Sequence, residues 1–257
     1  DDMLWSTMGN VTLSGGDGHD RLTAREGSGT LNGGAGNDNI VNQTGNFSLI
    51  GGDGNDRLTS FGGDNLLIGG NGDDVFYSNG GNDTVIGESG KDLMFAGSGN
   101  STLSGGNGVD TLYGGSGSSF LAGGNDRDYL HAHISTNGTL NGDDGDDYLF
   151  GGTNGCTLNG GAGNDGLSSA AASDLLAGND GNDTITGAAG NDTLVGGNGD
   201  DWLEGGTGTD RFNAGAGRDT FEFLHISEST VGAGRDVIHG LEIQNDTINI
   251  GKLQIAG

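Results

Sequence analysis

The chain has no proline, one cysteine and few positively charged or aromatic residues among its 257 positions. The single cysteine, Cys156, cannot form a disulfide within the chain, so we expect a buried or half-buried thiol. No apolar run reaches the roughly 18 residues that a membrane-spanning helix needs, so the sequence predicts no transmembrane segment. Hydrophobic residues make up only 31% of the chain, which is too few for an ordinary globular core.

Positive charge is scarce, because 9 Lys and Arg stand against 36 Asp and Glu and the formal net charge is −27. Binding to nucleic acid or to an anionic membrane is disfavoured, since few basic side chains are present to neutralise phosphates. The same charge suits divalent cations. Such an acidic and polar composition normally predicts disorder, unless the residues recur in a pattern that lets neighbouring turns bury each other.

A repeat of 18 residues supplies that pattern. The run from residue 12 to residue 210 divides into eleven copies, which are all 18 residues long except one of 19. A short fixed period over most of a chain predicts a solenoid, in which each strand needs only one inward apolar residue. The copies begin at Thr12, Thr30, Ser48, Leu66, Thr84, Thr102, Phe120, Thr139, Thr157, Leu175 and Thr193.

Each copy is predicted to contain a first strand, a first loop of six residues, a second strand and a second loop. The first loop reads G-G-x-G-x-D and is followed by x-U-x, where U is apolar. The inward residues form two apolar columns, from Leu13 to Phe212 on the first strands and from Leu4 to Phe221 on the second strands. Full matches to the loop motif are GGAGNDNIV (33–41), GGDGNDRLT (51–59), GGNGVDTLY (105–113) and GGNGDDWLE (196–204).

This motif resembles that of the RTX family, the hemolysin-type calcium-binding nonapeptide repeats. The resemblance implies an all-β fold, a right-handed parallel β-roll with two short strands and two loops per turn. It implies calcium ions between the loops of successive turns. It also implies a bacterial protein that a type I system secretes without a cleaved N-terminal signal, and hence an extracellular or cell-surface location.

The sixth position of the first loop is Asp in every copy. Calcium takes six to eight oxygen ligands from carboxylates and backbone carbonyls, and glycines let a loop turn its carbonyls toward one point. Up to about twelve ions would fit between neighbouring members of this first Asp row, and without them we expect a disordered chain. The first Asp row consists of Asp2, Asp20, Asp38, Asp56, Asp74, Asp92, Asp110, Asp128, Asp147, Asp165, Asp183, Asp201 and Asp219.

The second loops are mostly degenerate and regain the motif near the C-terminal end. We therefore predict a second, short row of calcium ligands at Asp192, Asp210 and Asp236. Some first loops carry a non-glycine residue at a glycine position, and we expect them to keep their shape because Asn and Asp tolerate left-handed backbone conformations. These positions include Glu88, Asp126, Asp143 and Asn179.

Aromatic residues recur at outward positions of the second strands over successive turns. They predict either cross-strand stacking that stabilises the sheet or a contact surface for a protein or carbohydrate partner. A row of outward Thr residues on the first strands is typical of ice-binding solenoids, but Leu66, Phe120 and Leu175 interrupt it. The possible interaction surface consists of Tyr77, Phe95, Tyr113, Tyr129, Tyr148 and Phe150.

Two segments are distinguished by the period. Residues 1–210 are the predicted β-roll, and residues 211–257 are its last half-turn followed by a capping segment that resembles the cap of serralysin-type proteases. A solenoid needs a cap because its last turn otherwise exposes an apolar end and an unpaired strand edge. Asp2 and Leu4 already lie in phase with the repeat, so we expect the chain to be a piece of a longer protein.

No catalytic pattern stands apart from the repeat, since neither a Ser-His-Asp set nor an HExxH motif is recognisable. We therefore interpret the chain as a non-catalytic, calcium-binding module that acts as a structural, display or interaction scaffold, for example in an adhesin. One alternative is the C-terminal secretion and folding module of an exported protease, lipase, polysaccharide epimerase or lyase. Another is a solenoid that binds carbohydrate or ice.

Overall fold

The computed structural model describes residues 1–133, 137–224, 235–242 and 244–250, and every regular element in them is a β-strand. The chain divides into two compact units, Asp1–Leu130 and His131–Gly257. Within each unit the strands pair in parallel with their counterparts about 18 residues along the chain, and they form two sheets. The prediction of an all-β, parallel β-roll is confirmed.

In unit 1 the strands of each sheet follow one another in chain order. The first-strand sheet contains β2 (Asn10–Asp17), β4 (Ser28–Ala35), β6 (Asn46–Asp53), β8 (Leu66–Asn71), β10 (Thr84–Ser89), β12 (Thr102–Asn107) and β14 (Ser119–Asn125). The second-strand sheet contains β1 (Met3–Ser6), β3 (Arg21–Ala24), β5 (Asn39–Asn42), β7 (Arg57–Ser60), β9 (Val75–Gly80), β11 (Leu93–Ser98) and β13 (Thr111–Tyr113). Strand β15 (Tyr129–His131) includes the boundary between the units.

Unit 2 repeats this arrangement. Its first-strand sheet contains β16 (Gly138–Asp144), β18 (Thr157–Ala162), β20 (Leu175–Asp180), β23 (Thr193–Asn198), β26 (Arg211–Ala216) and β28 (Val237–His239). Its second-strand sheet contains β17 (Tyr148–Phe150), β19 (Gly166–Ser168), β21 (Thr184–Thr186), β24 (Trp202–Glu204), β27 (Thr220–Phe223) and β29 (Thr247–Ile250). The short strands β22 (Ala189–Gly190) and β25 (Thr207–Gly208) pair with each other in the second loops.

The first strands continue into the first loops and do not end at the first glycine. Strand β8, for example, has six residues and pairs with its neighbours as far as Asn71, inside the G-G-x part of the loop. The reason is that loops with similar sequences follow similar backbone paths. Their N–H and C=O groups therefore continue to form hydrogen bonds with the neighbouring turn beyond the apolar residues.

The core of each unit is the predicted pair of apolar columns. Interior members such as Leu58 and Leu67 have no exposed surface, because turns on both sides cover them. Leu4 and Leu13 are only half-buried, since the first turn has a neighbour on one side. Burying one such side chain contributes about 1.5 to 3 kcal/mol, so the stability of each unit depends on adding turns.

The last described residues form one more turn. Strands β26 and β27 keep the 18-residue register, with Arg211 opposite Thr193 and Thr220 opposite Trp202. Strands β28 and β29 then pair with them over longer intervals, since Val237 lies opposite Arg211 and Thr247 lies opposite Thr220. Much of the added length falls at residues 225–234, outside the described residues.

The described residues include no helix that is long and apolar enough to cross a membrane.

Candidate metal sites

The sixth-position aspartates of the first loops form a hydrogen-bonded row in each unit. Each of these residues ends a first loop, directly before a second strand. From Asp20 to Asp128 and from Asp165 to Asp219, Oδ1 accepts a hydrogen bond from the backbone N–H of the aspartate one turn earlier, and this bond connects successive turns. Its N–O distances are 2.7 Å from Asp20 to Asp38, 2.7 Å from Asp38 to Asp56, 2.7 Å from Asp56 to Asp74, 2.8 Å from Asp74 to Asp92, 2.8 Å from Asp92 to Asp110 and 2.7 Å from Asp110 to Asp128 in unit 1. In unit 2 they are 2.8 Å from Asp147 to Asp165, 2.8 Å from Asp165 to Asp183, 2.9 Å from Asp183 to Asp201 and 3.0 Å from Asp201 to Asp219.

The row reaches the first turn as well, because the Asp2 N–H donates to Asp20 Oδ1. The side chain of Asp2 itself is exposed, unlike the later members of the row. The terminal turn thus has the backbone arrangement of the row but not its burial.

The second oxygen of most row carboxylates is buried and has no hydrogen-bond partner. These aspartates are at most 3% exposed. An ionised carboxylate in that position is costly unless a cation or further donors reach it. A buried Oδ2 without a partner is found in Asp20, Asp38, Asp56, Asp74, Asp92, Asp110, Asp165, Asp183, Asp201 and Asp219.

The first glycine of each loop leaves space beside this oxygen. A Cβ atom on Gly51 would lie 2.2 Å from Asp56 Oδ2 and 2.6 Å from the Gly69 carbonyl oxygen of the next loop. In unit 2 a Cβ atom on Gly160 would lie 2.2 Å from Asp165 Oδ2 and 2.8 Å from the carbonyl oxygen of the next loop. A carboxylate oxygen therefore faces a backbone carbonyl across a gap that only glycine keeps open. Both are ligands that calcium prefers, so these residues fit the ion.

Backbone oxygens must supply most of the ligands. No group of three or more His, Cys, Asp or Glu side chains comes together at one point in the described ranges. Each first loop brings one inward aspartate, and the remaining polar groups at the gap are carbonyls. This is consistent with a hard cation such as calcium, and it does not suit a metal that needs nitrogen or sulfur ligands.

Burial raises the pKa of the interior row carboxylates from Asp38 to Asp110 and from Asp165 to Asp219. The pKa of Asp74 rises from 3.8 to about 8, because burial outweighs the backbone N–H of Asp56, and the charges of Asp92, Asp56 and Asp73 add to it. The pKa values of Asp110, Asp165 and Asp201 rise to about 7, and those of Asp56, Asp92 and Asp183 rise to about 6. A cation that binds here must therefore displace protons as well as water.

A second Asp row lies on the second loops of unit 2. The predicted residues Asp192, Asp210 and Asp236 belong to it, and Asp174 also belongs to it. The N–O distances are 2.8 Å from Asp174 to Asp192, 2.8 Å from Asp192 to Asp210 and 2.8 Å from Asp210 to Asp236. Sequence reasoning missed Asp174 because its loop has no glycine, although its spacing of 18 residues from Asp192 was a usable signal.

Cys156 occupies the sixth position of the preceding second loop. Its N–H donates to Asp174 Oδ1 at 2.6 Å, so the backbone continues the row where the side chain does not. The residue is 3% exposed, which confirms the expected buried thiol.

In unit 1 an asparagine takes the corresponding place on one second loop, residues 60–65. Asn65 Oδ1 accepts from the Phe47 N–H at 2.8 Å, as a row aspartate would. Its Nδ2 donates to the Gly63 carbonyl at 2.9 Å and to Asp83 Oδ1 at 3.0 Å, while Ser60 Oγ donates to Asp83 Oδ2 at 3.1 Å. An amide N–H group thus joins the oxygens of two successive loops, and both oxygens of Asp83 have partners.

A further ladder runs along the fifth position of the first loops in the opposite direction. Asn37 Oδ1 accepts from the Asn55 N–H at 2.9 Å, and Asn55 Oδ1 accepts from the Asp73 N–H at 3.0 Å. In unit 2 Asn164 Oδ1 accepts from the Asn182 N–H at 2.9 Å. Each loop is thereby tied to the turn before it and to the turn after it. The frequent Asn or Asp at this position was the signal in the sequence, and it was not recognised.

The loops with a substituted glycine keep their conformation, as predicted. Glu88, Asp126, Asp143 and Asn179 have φ values of 77°, 76°, 73° and 81°. These are left-handed backbone conformations of the kind that glycine adopts elsewhere in the repeat.

The predicted interaction surface contains stacked rings. In unit 1 Phe95 stacks on Tyr77 with centroids 5.2 Å apart and on Tyr113 with centroids 5.1 Å apart, and the Arg57 guanidinium lies 4.3 Å from the centroid of Tyr77. The ring faces are therefore turned toward each other, and the edges face outward. Tyr129 is half-buried on β15.

In unit 2 the imidazole ring of His131 stacks on the ring of Phe150 with centroids 4.6 Å apart. The side chains of Tyr148 and Phe150 are 41% and 39% exposed.

Comparison with known families identifies the repeat. A family model described as RTX calcium-binding nonapeptide repeat (4 copies) matches residues 1–31, 14–46, 48–76, 68–103, 104–134, 168–203 and 186–221, which together are more than half of the chain. No curated protein sequence matches the chain. The matched residues end at 221, so the likeness of the C-terminal segment to a serralysin-type cap stays a prediction. With these matches and the buried Asp rows, the chain belongs to the family of RTX calcium-binding nonapeptide repeats.

Proposed function

We propose that the chain is a non-catalytic β-roll module of a secreted bacterial RTX protein that folds on calcium outside the cell and serves as a structural or display scaffold. The observation that carries the proposal is the buried Oδ2 of the first Asp row, which has no partner in ten aspartates, Asp20 to Asp110 and Asp165, Asp183, Asp201 and Asp219. A calcium ion between successive loops would bind this oxygen together with carbonyls of the loops. In this proposal the β-roll supplies calcium ligands and no catalytic residues.

Charge supports coupling between calcium and folding. Neighbouring turns bring like carboxylates close together, and the chain as a whole carries a formal net charge of −27. Divalent ions would remove much of this repulsion, so their binding free energy becomes folding free energy. A chain of this kind stays unfolded where calcium is scarce and folds where calcium is abundant, which suits export as an unfolded polypeptide.

Circular dichroism during a calcium titration tests the proposal. In excess chelator we expect the spectrum of a disordered chain, and calcium should produce a cooperative rise in the β signal. Magnesium is the matched control, because its smaller octahedral shell suits sites rich in carbonyls less well. A fully developed β spectrum in the presence of chelator would contradict the proposal.

The predicted interaction surface, called the aromatic row below, suggests a second role of the module, which is contact with another protein. Because the faces of Tyr77, Phe95 and Tyr113 stack on one another and Arg57 covers an outer face of Tyr77, they are poorly placed to stack on a sugar ring. In unit 2 the outward edges of Tyr148 and Phe150, which are 41% and 39% exposed, suit a flat apolar partner surface better. Substituting Tyr148 and Phe150 by Ser should weaken such a contact without changing the calcium titration.

A further inference from the structure

We propose that Asp246 extends the first Asp row and that Asp219 and Asp246 together bind one more calcium ion. This ion stabilises the contact between the last described turn and the turn before it. The inference rests on the proposed function. It concerns a residue outside the matched family segments, which end at residue 221.

The backbone holds Asp246 in the place of a further repeat aspartate. The Asp219 N–H donates to Asp246 Oδ1 at 3.2 Å, as the Asp201 N–H donates to Asp219 Oδ1 one turn earlier. The Thr247 N–H donates to the Asp219 carbonyl at 2.7 Å, and one turn earlier the Thr220 N–H makes the same bond with the Asp201 carbonyl at 2.7 Å. The repeat geometry is therefore preserved, although 27 residues instead of 18 separate Asp219 from Asp246.

Asp219 brings an unused, buried oxygen to this place. Its side chain is 1% exposed, and its Oδ2 has no hydrogen-bond partner. The preceding turn shows where such an oxygen points, because a Cβ atom on Gly196 would lie 2.3 Å from both Asp201 Oδ2 and the Ala214 carbonyl oxygen of the following loop. By the same geometry Asp219 Oδ2 faces the loop that leads to Asp246.

The described residues before Asp246 hold its carboxylate in position. The Glu242 N–H donates to Asp246 Oδ2 at 2.6 Å, and the Glu242 carbonyl accepts from the Asn245 and Asp246 N–H groups at 2.8 and 2.9 Å. The nearby cation Arg218 is paired with Asp200 at 2.6 Å. The two carboxylates are ligands of the kind that calcium takes, and a divalent ion would offset the repulsion between Asp219 and Asp246.

The variant Asp246→Asn tests the site. Asn retains an oxygen that accepts the Asp219 N–H, but it removes the charge that the ion needs. We expect one calcium fewer per folded chain after equilibrium dialysis, and a higher calcium concentration at the midpoint of folding. Asp144→Asn is the matched control, because it removes one charge from an exposed loop position outside the rows and should leave both values unchanged.

The outcomes separate this inference from the proposed function. An unchanged calcium count and midpoint in Asp246→Asn would overturn the inference, whereas failure of the unsubstituted chain to bind calcium would overturn the proposed function. If the variant does not fold, crystals of the unsubstituted chain grown with calcium decide the matter. An anomalous peak between Asp219 and Asp246, at about 2.3 to 2.6 Å from their oxygens, is expected. Peaks along the row without one at this place would overturn the inference.

Discussion

Ten buried aspartates of the first Asp row use their two carboxylate oxygens differently. Oδ1 accepts a backbone N–H from the previous turn and sets the spacing of the loops, as between Asp38 and Asp56 at 2.7 Å. Oδ2 has no hydrogen-bond partner in residues such as Asp56 and faces a carbonyl across the space left by the first glycine. One residue type therefore supplies both a structural bond and a ligand, which explains why the sixth position of the first loop is always Asp.

The first glycine of a loop is predicted to be as necessary as the aspartate. Gly51→Ala would place a Cβ atom 2.2 Å from Asp56 Oδ2 and 2.6 Å from the Gly69 carbonyl oxygen, so both must shift. Overpacking of this kind costs about 1 to 3 kcal/mol, and we expect a lower thermal midpoint and weaker calcium binding.

Gly62→Ala is the matched control for Gly51→Ala. The nearest atom to its Cβ would be the Gln43 carbonyl oxygen at 3.8 Å, which is an ordinary contact. Differential scanning calorimetry at a fixed calcium concentration compares the two variants. Equal changes in both would show that the gap beside Asp56 has no special role.

At the scale of elements, the two kinds of loop stabilise the roll by different means. The first loops carry the Asp row, and the second loops of unit 1 instead contain Asn65, Ser60 and Asp83, which satisfy one another by hydrogen bonds. The amide of Asn65 joins oxygens of two loops, as a cation would do between other loops. We therefore expect this part of the roll to need no ion of its own.

Asn65→Ala tests this division. The substitution leaves the Phe47 N–H without its partner and removes one of the two donors to Asp83 Oδ1, which keeps the backbone N–H of residue 65 at 2.8 Å. We therefore expect a loss of about 1 to 3 kcal/mol in the free energy of unfolding. The number of calcium ions bound should not change, because no row carboxylate is altered.

Asn71→Ala is the control for that experiment. Asn71 is exposed, and its Nδ2 donates to Asp53 Oδ1 at 2.8 Å on the surface, so its loss should cost little. Urea unfolding at saturating calcium measures the stability, and equilibrium dialysis counts the ions. A lower ion count in Asn65→Ala would contradict the division of roles.

At the scale of the whole molecule, protons and calcium compete for the same carboxylates. Without calcium, folding raises the pKa of Asp74 from 3.8 to about 8, so between these values the folded chain binds more protons than the unfolded chain. In chelator the folded fraction should therefore decrease as the pH rises from about 4 to about 8, and the disordered chain is expected at the upper end of this range.

Calcium should reverse the sign of this pH dependence. Because ions bind the deprotonated carboxylates, calcium affinity and the stability of the loaded chain should increase with pH over the same window. The β signal in circular dichroism at several pH values, in chelator and at a calcium concentration near the folding midpoint, measures both slopes. Parallel slopes in the two conditions would show that the row carboxylates are not the calcium ligands.

The C-terminal end is predicted to begin the folding of the chain. Asp rows lie on both loop edges of unit 2, where Asp192 and Asp210 of the second row accompany Asp183 and Asp201 of the first. Phe212, at 1% exposure, packs against Phe221 and Phe223 near that end. Since solenoid turns are stabilised mainly by their neighbours, folding should start where a turn is best supported.

Two truncations of equal length test this order of folding. Removing residues 211–257 should raise the calcium concentration that folding needs and lower its cooperativity, whereas removing residues 1–47 should do much less. Calcium titrations followed by circular dichroism measure both. Equal effects of the two truncations would mean that any turn can nucleate the roll.

The 18-residue period was sufficient to predict the strands, the two apolar columns and the first Asp row. Each of these features depends on the same residue type meeting its counterpart one turn away, so equal spacing in the sequence becomes contact in space. Positions such as Asn179 were predicted correctly for the same reason, because the neighbouring loops dictate a left-handed backbone there.

The features that the sequence did not reveal are those where different residue types meet, or where the spacing changes. Asn65 and Ser60 both donate hydrogen bonds to Asp83, and no repeated motif predicts these bonds. The faces of the Phe95 ring are covered by the stacked rings of Tyr77 and Tyr113. Asp246 lies 27 residues beyond Asp219, so only the pairing of β29 with β27 brings it into the row. The sequence by itself determined the fold and the main row because both repeat. Only the tertiary structure showed the contacts at the ends of the roll, in the second loops and in the aromatic row. These contacts depend on where the backbone places residues of different types, and the 18-residue period does not predict that placement.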